Sequence, residues 1–183
     1  FMWFLVNQAF SQTRSSPGGY QGDVFKDRDS KRYPNCVQEE HWVANVFHEA
    51  RAISDGILAV GDEHFWLLGF QWPNQADDRG RRADLVGLTS EGGLVVFECK
   101  LADNKSEPPA MAMAQALDYL ANLCRGDNFT KIRWGFDQWR GKPEQIIPES
   151  FQGVSPQRDR QPAAIVLAPK SYYEYHGQEH LPK

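Results

Sequence analysis

Two apolar runs joined by a glycine-containing loop constrain the fold of this chain more than any other feature. The runs are ADLVGL at 83–88 and LVVFECK at 94–100, and the loop between them is TSEGG at 89–93. Glycine accepts the positive φ that a tight hairpin turn needs, so the segment predicts two antiparallel strands. Both strands have the composition of core strands, yet two acids and a lysine place charges on them.

The register of this hairpin determines where the charged side chains lie. With the loop at 89–93, Leu88 faces Leu94, and counting back along both strands places Asp84 opposite Glu98. Cross-strand partners have Cβ atoms about 5 Å apart on one face of the sheet, where like charges repel. Lys100 shares that face because side chains alternate with a period of two residues. Three ionisable groups are therefore predicted to converge at one end of the hairpin, where a divalent cation would compensate the repulsion.

This set of groups matches the needs of phosphodiester hydrolysis. A hard cation such as Mg²⁺ or Mn²⁺ prefers oxygen ligands, polarises a phosphate and lowers the pKa of an attacking water. Asp84 and Glu98 are the predicted ligands, with the backbone carbonyl of Cys99 as a further one. Lys100 is predicted to stabilise the hydroxide or the charge that develops on the phosphate.

The same residues resemble a known signature. Asp84, then thirteen residues, then Glu98-Cys99-Lys100 are similar to the D-x(n)-E-x-K motif of the PD-(D/E)XK, or restriction-endonuclease-like, nucleases. In the segment QALDY, a glutamine and a tyrosine four residues apart resemble the Q-x-x-x-Y motif of the RecB-like branch. They are Gln115 and Tyr119.

The resemblance implies a magnesium-dependent nuclease that acts on DNA. It assigns Asp84, Glu98, Lys100 and Gln115 to the catalytic site and Tyr119 to contact with nucleic acid. It also implies a core made of one helix, a three-stranded meander that carries the motif, a second helix and a further strand.

Members of this family usually carry another acid on the first helix, directed at the metal. The segment QEE offers Glu39 and Glu40, and Glu49 lies farther along. At about 100° per residue the apolar face is centred near Ala50, so Glu39 falls about 20° from that centre and the other two about 80° and 100° from it. Glu39 is therefore the predicted further metal ligand. A solvated acid favoured by the helix dipole is an equal alternative.

The remaining patterns predict an α/β fold with a mixed central sheet flanked by helices, in the order αβββαβ. Helical spacing of apolar residues predicts a first helix at 36–53, and the runs GILAV and FWLLGF predict a hairpin after it. Pro108 and Pro109 suit the first turn of a second helix, which is expected to end near Leu123 with Gly126 as its C-cap.

Two later segments, KIRWGF and AAIVLA, are interpreted as strands, the second as a central strand because it is uniformly apolar. The final residues, EYHGQEHLPK, show no pattern of a packed element. No repeat or linker divides the chain, so residues 1–183 are expected to form one domain with its core at about 36–168.

The charge balance requires any nucleic-acid contact to be local. The formal net charge is −4, which does not favour a protein that coats nucleic acid through bulk charge. Two basic places remain: RGRR, which contributes Arg81 and Arg82, and the segment 125–142, where Lys131 and Arg133 lie near two tryptophans. For the second place, solvated surface charge beside core aromatics is an equal alternative.

Cysteine usage and hydropathy indicate the compartment. The three cysteines are far apart and lack C-x-x-C spacing, which favours a reducing, cytoplasmic location and argues against a zinc ribbon. No apolar run approaches the roughly 20 residues that cross a bilayer, so no membrane contact is expected.

The leading hypothesis is a metal-dependent nuclease whose partner is DNA. A nucleic-acid-binding or assembly module that keeps the same fold without turnover is one alternative, and a hydrolase of small phosphate esters is another. A homodimer, or a longer chain in which this domain is fused to other DNA-processing domains, is also compatible with the sequence.

Overall fold

The computed structural model describes residues 39–73, 82–141 and 146–178. In chain order the elements are α1 (Glu39–Ser54), β1 (Ile57–Val60), β2 (Glu63–Pro73), β3 (Arg82–Thr89), β4 (Leu94–Cys99), α2 (Pro109–Leu123), α3 (Gly126–Arg140), a 3-10 turn (Glu149–Phe151), β5 (Ala163–Leu167) and α4 (Lys170–Gln178). Among these helices, none is both long enough and apolar enough to cross a membrane.

The strands form one mixed sheet in the order β1-β2-β3-β4-β5. β1 to β4 are an antiparallel meander, and Gly92, with φ of 89°, provides the positive φ in the turn between β3 and β4. β5 instead runs parallel to β4, since the chain passes through α2 and α3 before it returns to the sheet. The predicted α/β fold with a mixed sheet flanked by helices is confirmed.

Side chains on the two faces of the sheet form two layers of core. Val95, Phe97 and Cys99 of β4 pack in a cluster with α1. Leu94 and Val96 of the same strand pack in a cluster with α2 and α3. This alternation follows from the two-residue period of a strand. Because helices cover both faces, apolar residues are buried on both sides of β3 and β4.

The segment KIRWGF is part of α3, so its interpretation as a strand is wrong. The buried apolar residues of α3 recur at helical spacing and pack on the α2 side of the sheet: Phe129, Ile132, Phe136 and Trp139. Within the shorter window, Ile132, Trp134 and Phe136 also alternate as they would in a strand.

The predicted C-cap of α2 also differs from the structure. Gly126 is the first residue of α3, and the C-cap of α2 is Cys124 instead.

The chain after residue 168 also differs from the expectation. α4 follows β5 closely, and its Tyr172 is completely buried, so the packed part of the protein continues beyond 168. β5 is the edge strand of the described sheet and not a central one. Its residues Ile165 and Val166 are nevertheless buried, because helices cover both of its faces. Helical cover explains its apolar composition without a central position.

Candidate metal centre

The strand register brings two carboxylates together at one end of the sheet. The last pair in the β3–β4 ladder is Leu85 with Phe97, and the next position along both strands holds Asp84 and Glu98. Asp84 is 8% exposed and Glu98 is 5% exposed. Antiparallel pairing therefore places the start of β3 and the end of β4, with their acids, side by side.

A hydrogen bond fixes the side chain of Asp84 at this end of the ladder. The backbone N–H of Cys99 donates to Asp84 Oδ2 at 2.8 Å, so a carboxylate satisfies a buried main-chain donor beyond the last ladder pair. The Cys99 side chain packs on the α1 side, as the strand period predicts. Burial raises the pKa of its thiol well above the usual range. The backbone carbonyl of Cys99 remains a predicted metal ligand.

A third acid reaches the pair from the other side of the sheet. Glu39 is the first residue of α1, and one carboxylate oxygen each of Glu39, Asp84 and Glu98 lie within 4.8 Å of one another. This spacing could hold a metal ion. Of the three acids considered on this helix, Glu39 belongs to the cluster, whereas Glu40 is exposed.

Burial and nearby negative charges disfavour the charged forms of Asp84 and Glu98. Burial raises the pKa of Asp84 well above its usual range, and the charges of Glu98 and Glu39 raise it further. Burial also raises the pKa of Glu98, against the opposing effect of Lys100. A divalent cation would relieve both effects, since a nearby opposite charge favours the ionised carboxylate.

Lys100 lies among the acids and is only 2% exposed. Its Nζ donates to Glu98 Oε1 at 2.8 Å and to Glu39 Oε1 at 3.3 Å, and it pairs with Glu107 Oε2 at 2.8 Å. Burial alone would lower the pKa of Lys100, but these contacts outweigh burial and raise it. The ammonium therefore neutralises part of a strongly acidic pocket.

One oxygen of the cluster has no hydrogen-bond partner among the residues that the structure describes. Glu98 Oε2 is buried and makes no hydrogen bond, although the other oxygen of the same carboxylate is bound by Lys100. A buried carboxylate oxygen without a donor is costly unless another group binds it. The side chains of Glu39 and Glu107 are each 30% exposed, so the cluster is open to solvent on their side. The residues present therefore fit an oxygen-liganded divalent cation.

Sequence reasoning missed Glu107, which lies in the loop between β4 and α2. Its pKa is lowered by hydrogen bonds from Lys100, Gln115 and Asn104. Gln115 of α2 is half-buried. Its hydrogen bond to Glu107 connects it to the residues around Lys100. Neither an apolar period nor a motif marks Glu107. Its one signal is its position directly before Pro108, where the chain must leave a loop to start a helix.

Tyr119 is placed differently from its assignment as a nucleic-acid contact. It is 8% exposed and packs in the core cluster on the α2 and α3 side of the sheet. The structure therefore does not bring Tyr119 to an exposed surface, since it shares this core cluster with buried residues of α3. Of the Q-x-x-x-Y pattern, Gln115 contributes a hydrogen bond to Glu107.

The four basic residues that are predicted to contact nucleic acid fall into three groups. Lys131 and Arg133 are exposed on α3, and Trp134 beside them is 62% exposed, whereas Trp139 belongs to the core. Arg82 is half-buried at the start of β3. Arg81 lies outside the described residues.

Comparison with known proteins found no match to the chain among models of protein families, curated proteins or solved structures.

Proposed function

We propose that this protein is a metal-dependent nuclease that hydrolyses DNA phosphodiester bonds, on a restriction-endonuclease-like core. The observation that carries the proposal is the cluster of Glu39, Asp84 and Glu98, whose carboxylate oxygens lie within 4.8 Å of one another. The unpartnered oxygen of Glu98 supports it independently, because a cation would satisfy that atom.

In this proposal Glu39, Asp84 and Glu98 would hold Mg²⁺ or Mn²⁺, with the Cys99 carbonyl as a further ligand. The ion, when bound, would supply Lewis-acid activation of the phosphate and of the attacking water. Asp84 also keeps the end of the hairpin in register through its bond from the Cys99 N–H. The chain thus contributes a preformed set of oxygen ligands on two strands and a helix.

Lys100 would stabilise negative charge on the reacting phosphate. Its raised pKa keeps the ammonium protonated, so it can donate hydrogen bonds to phosphate oxygens but is unsuited to act as a general base. Gln115 would act through the loop acid Glu107 and not on the substrate, since that is where its side chain bonds.

The choice of DNA as substrate rests on the surface of the protein. Lys131 and Arg133 beside exposed Trp134 favour a polyanionic polymer over a small phosphate ester, because the phosphate backbone attracts cations and the ring can stack on bases. Arg81 and Arg82 would contribute further phosphate contacts. A cytoplasmic location, and a homodimer or a fusion to other DNA-processing domains, belong to the same proposal.

The test is a cleavage assay with circular and linear DNA. We expect the parent protein to cut with Mg²⁺ or Mn²⁺ and to stop when EDTA is added. Glu98→Gln should lower the rate by about 100-fold or more, because it removes a charged ligand without changing shape. Glu91→Gln is the matched control, since Glu91 is exposed in the loop at the opposite end of the same hairpin.

Two results would count against the proposal. If the parent binds DNA but leaves it intact with every divalent ion tested, the chain is a binding module. If Glu98→Gln cuts as fast as the parent, cleavage comes from elsewhere.

A further inference from the structure

Lys100 is shared between the proposed metal ligands and one acid outside them. Two of its partners, Glu98 and Glu39, belong to the acidic cluster, while Glu107 does not. The ammonium lies 2.8 Å from an oxygen of Glu98 and 2.8 Å from an oxygen of Glu107. Lys100 therefore connects the cluster to the loop that precedes α2.

A dication and the ammonium would compete for the same carboxylates. Both are positive, and a cation among Glu39, Asp84 and Glu98 would repel an ammonium 2.8 Å from Glu98 Oε1. Lys100 must then rely on a partner that is not a metal ligand. Glu107 is the described residue that offers such a carboxylate at hydrogen-bonding distance.

Glu107 is itself held from several directions. Hydrogen bonds from the side chains of Gln115 and Asn104 contribute to the lowered pKa of its carboxyl group. Asn104 Oδ1 accepts the backbone N–H of Glu107 at 3.2 Å, and Tyr172 of α4 donates its hydroxyl to the Glu107 carbonyl at 2.7 Å. Contacts from α2, α4 and the loop thus fix the position of this acid before any ligand binds.

We propose that Glu107 is a positioning residue that retains the Lys100 ammonium beside the acidic cluster when a divalent cation occupies it. This inference rests on the metal centre of the proposed function. By giving the ammonium a partner outside the cluster, Glu107 makes Glu98 and Glu39 available to the metal while keeping Lys100 next to the reacting phosphate. Gln115 acts one step farther out, by holding Glu107.

The proposal is tested by titrating the protein with Mn²⁺ in the absence of DNA. Binding is measured as the decrease in the electron paramagnetic resonance signal of free Mn²⁺. Glu107→Gln should weaken Mn²⁺ binding by about tenfold, because the ammonium then falls back on Glu98 and Glu39. Gln115→Met should weaken it several-fold although it changes no charge. It removes the amide that holds Glu107 and also a buried oxygen that has no hydrogen-bond partner in the described parts of the chain, so folding should survive.

A double-mutant cycle separates positioning from simple electrostatics. With Lys100→Gln no ammonium remains to compete, so adding Glu107→Gln should change Mn²⁺ affinity by less than about twofold. An equal loss in both backgrounds would overturn the proposal, because Glu107 would then act only through its charge. Unchanged Mn²⁺ affinity in Gln115→Met would also overturn it, and this comparison decides alone if Lys100→Gln fails to fold. Glu91→Gln should bind Mn²⁺ as the parent does.

The double-mutant cycle and the cleavage assay test the role of Glu107 and the nuclease activity independently. A parent that binds Mn²⁺ and shows the expected cycle but cuts no DNA would retain the role of Glu107 and refute the nuclease. A parent that cuts DNA but shows an additive cycle would retain the nuclease and refute the role of Glu107. A parent that binds no Mn²⁺ would refute both the nuclease and the role of Glu107.

Discussion

Asp84 has two effects on stability that oppose each other. As a buried charge beside Glu98 and Glu39 it destabilises the folded protein, and this is why its pKa is raised. As an acceptor for the Cys99 N–H it stabilises the end of the hairpin. A substitution that removes only the charge should therefore differ in melting temperature from one that removes both the charge and the hydrogen-bond acceptor.

We expect Asp84→Asn to melt above the parent and well above Asp84→Ala when metal is absent. The amide keeps an oxygen for the Cys99 N–H and removes a cross-strand like charge worth about 1 kcal/mol, or a Tm rise of about 2–4 °C. Alanine removes the charge too, but it leaves a buried N–H without an acceptor at a cost of about 1–3 kcal/mol. Thermal melts in EDTA measure both. Equal melting of the two variants would show that the Cys99 bond contributes nothing.

The pH dependence of these melts has a definite sign. A carboxyl whose pKa is higher in the folded than in the unfolded state binds more protons when folded, so it costs stability as pH rises. In EDTA, the advantage of Asp84→Asn over the parent should be small below the usual aspartate pKa of about 3.9 and should grow toward neutral pH. An advantage that shrinks with rising pH would mean that the Asp84 charge is stabilised in the folded protein.

At the scale of elements, the hairpin is predicted correctly, whereas α3 is identified only when a longer stretch of sequence is considered. A loop of known length and a strict two-residue period determine register, so pairing Leu88 with Leu94 placed Asp84 beside Glu98 correctly. In KIRWGF the apolar residues fit both periods, and only the longer series from Phe129 to Trp139 distinguishes helix from strand.

The N-terminus of α1 provides a matched pair of acids. Glu39 contacts Lys100 and belongs to the acidic cluster, whereas its neighbour Glu40 is exposed. Glu39→Gln should reduce the stabilisation by Mn²⁺ by about 1.4 kcal/mol for each tenfold loss of affinity, and Glu40→Gln should leave it unchanged. Thermal shifts at a fixed Mn²⁺ concentration measure the difference. Equal effects of both substitutions would point to general electrostatics at this helix end.

α4 provides a second matched pair. Tyr172 donates its hydroxyl to the Glu107 carbonyl, and Tyr173 donates its own to the Val166 carbonyl in β5. Phenylalanine at either position should cost about 1 kcal/mol of stability, because one hydrogen bond is lost. Only Tyr172→Phe should also weaken Mn²⁺ binding, which an affinity titration would detect. A matching loss in Tyr173→Phe would mean that α4 acts on the site only through overall stability.

At the scale of the whole molecule, the site forms where distant parts of the chain meet. α1 contributes Glu39, the β3–β4 hairpin contributes two acids and Lys100, and the loop before α2 contributes Glu107. Periodicity predicts the positions of the hairpin residues because side chains alternate regularly along a strand. It could not place Glu107, since that loop is shaped by long-range contacts such as the bond from Tyr172, 65 positions away.

The central claim is that Glu39, Asp84 and Glu98 together hold one divalent cation. Anomalous diffraction from crystals of the protein grown with Mn²⁺ tests it most directly. We predict a manganese peak about 2 Å from a carboxylate oxygen of each of the three residues, with Lys100 Nζ retained by Glu107. A map without manganese at these residues, with Lys100 Nζ still bound to Glu98, would contradict the account.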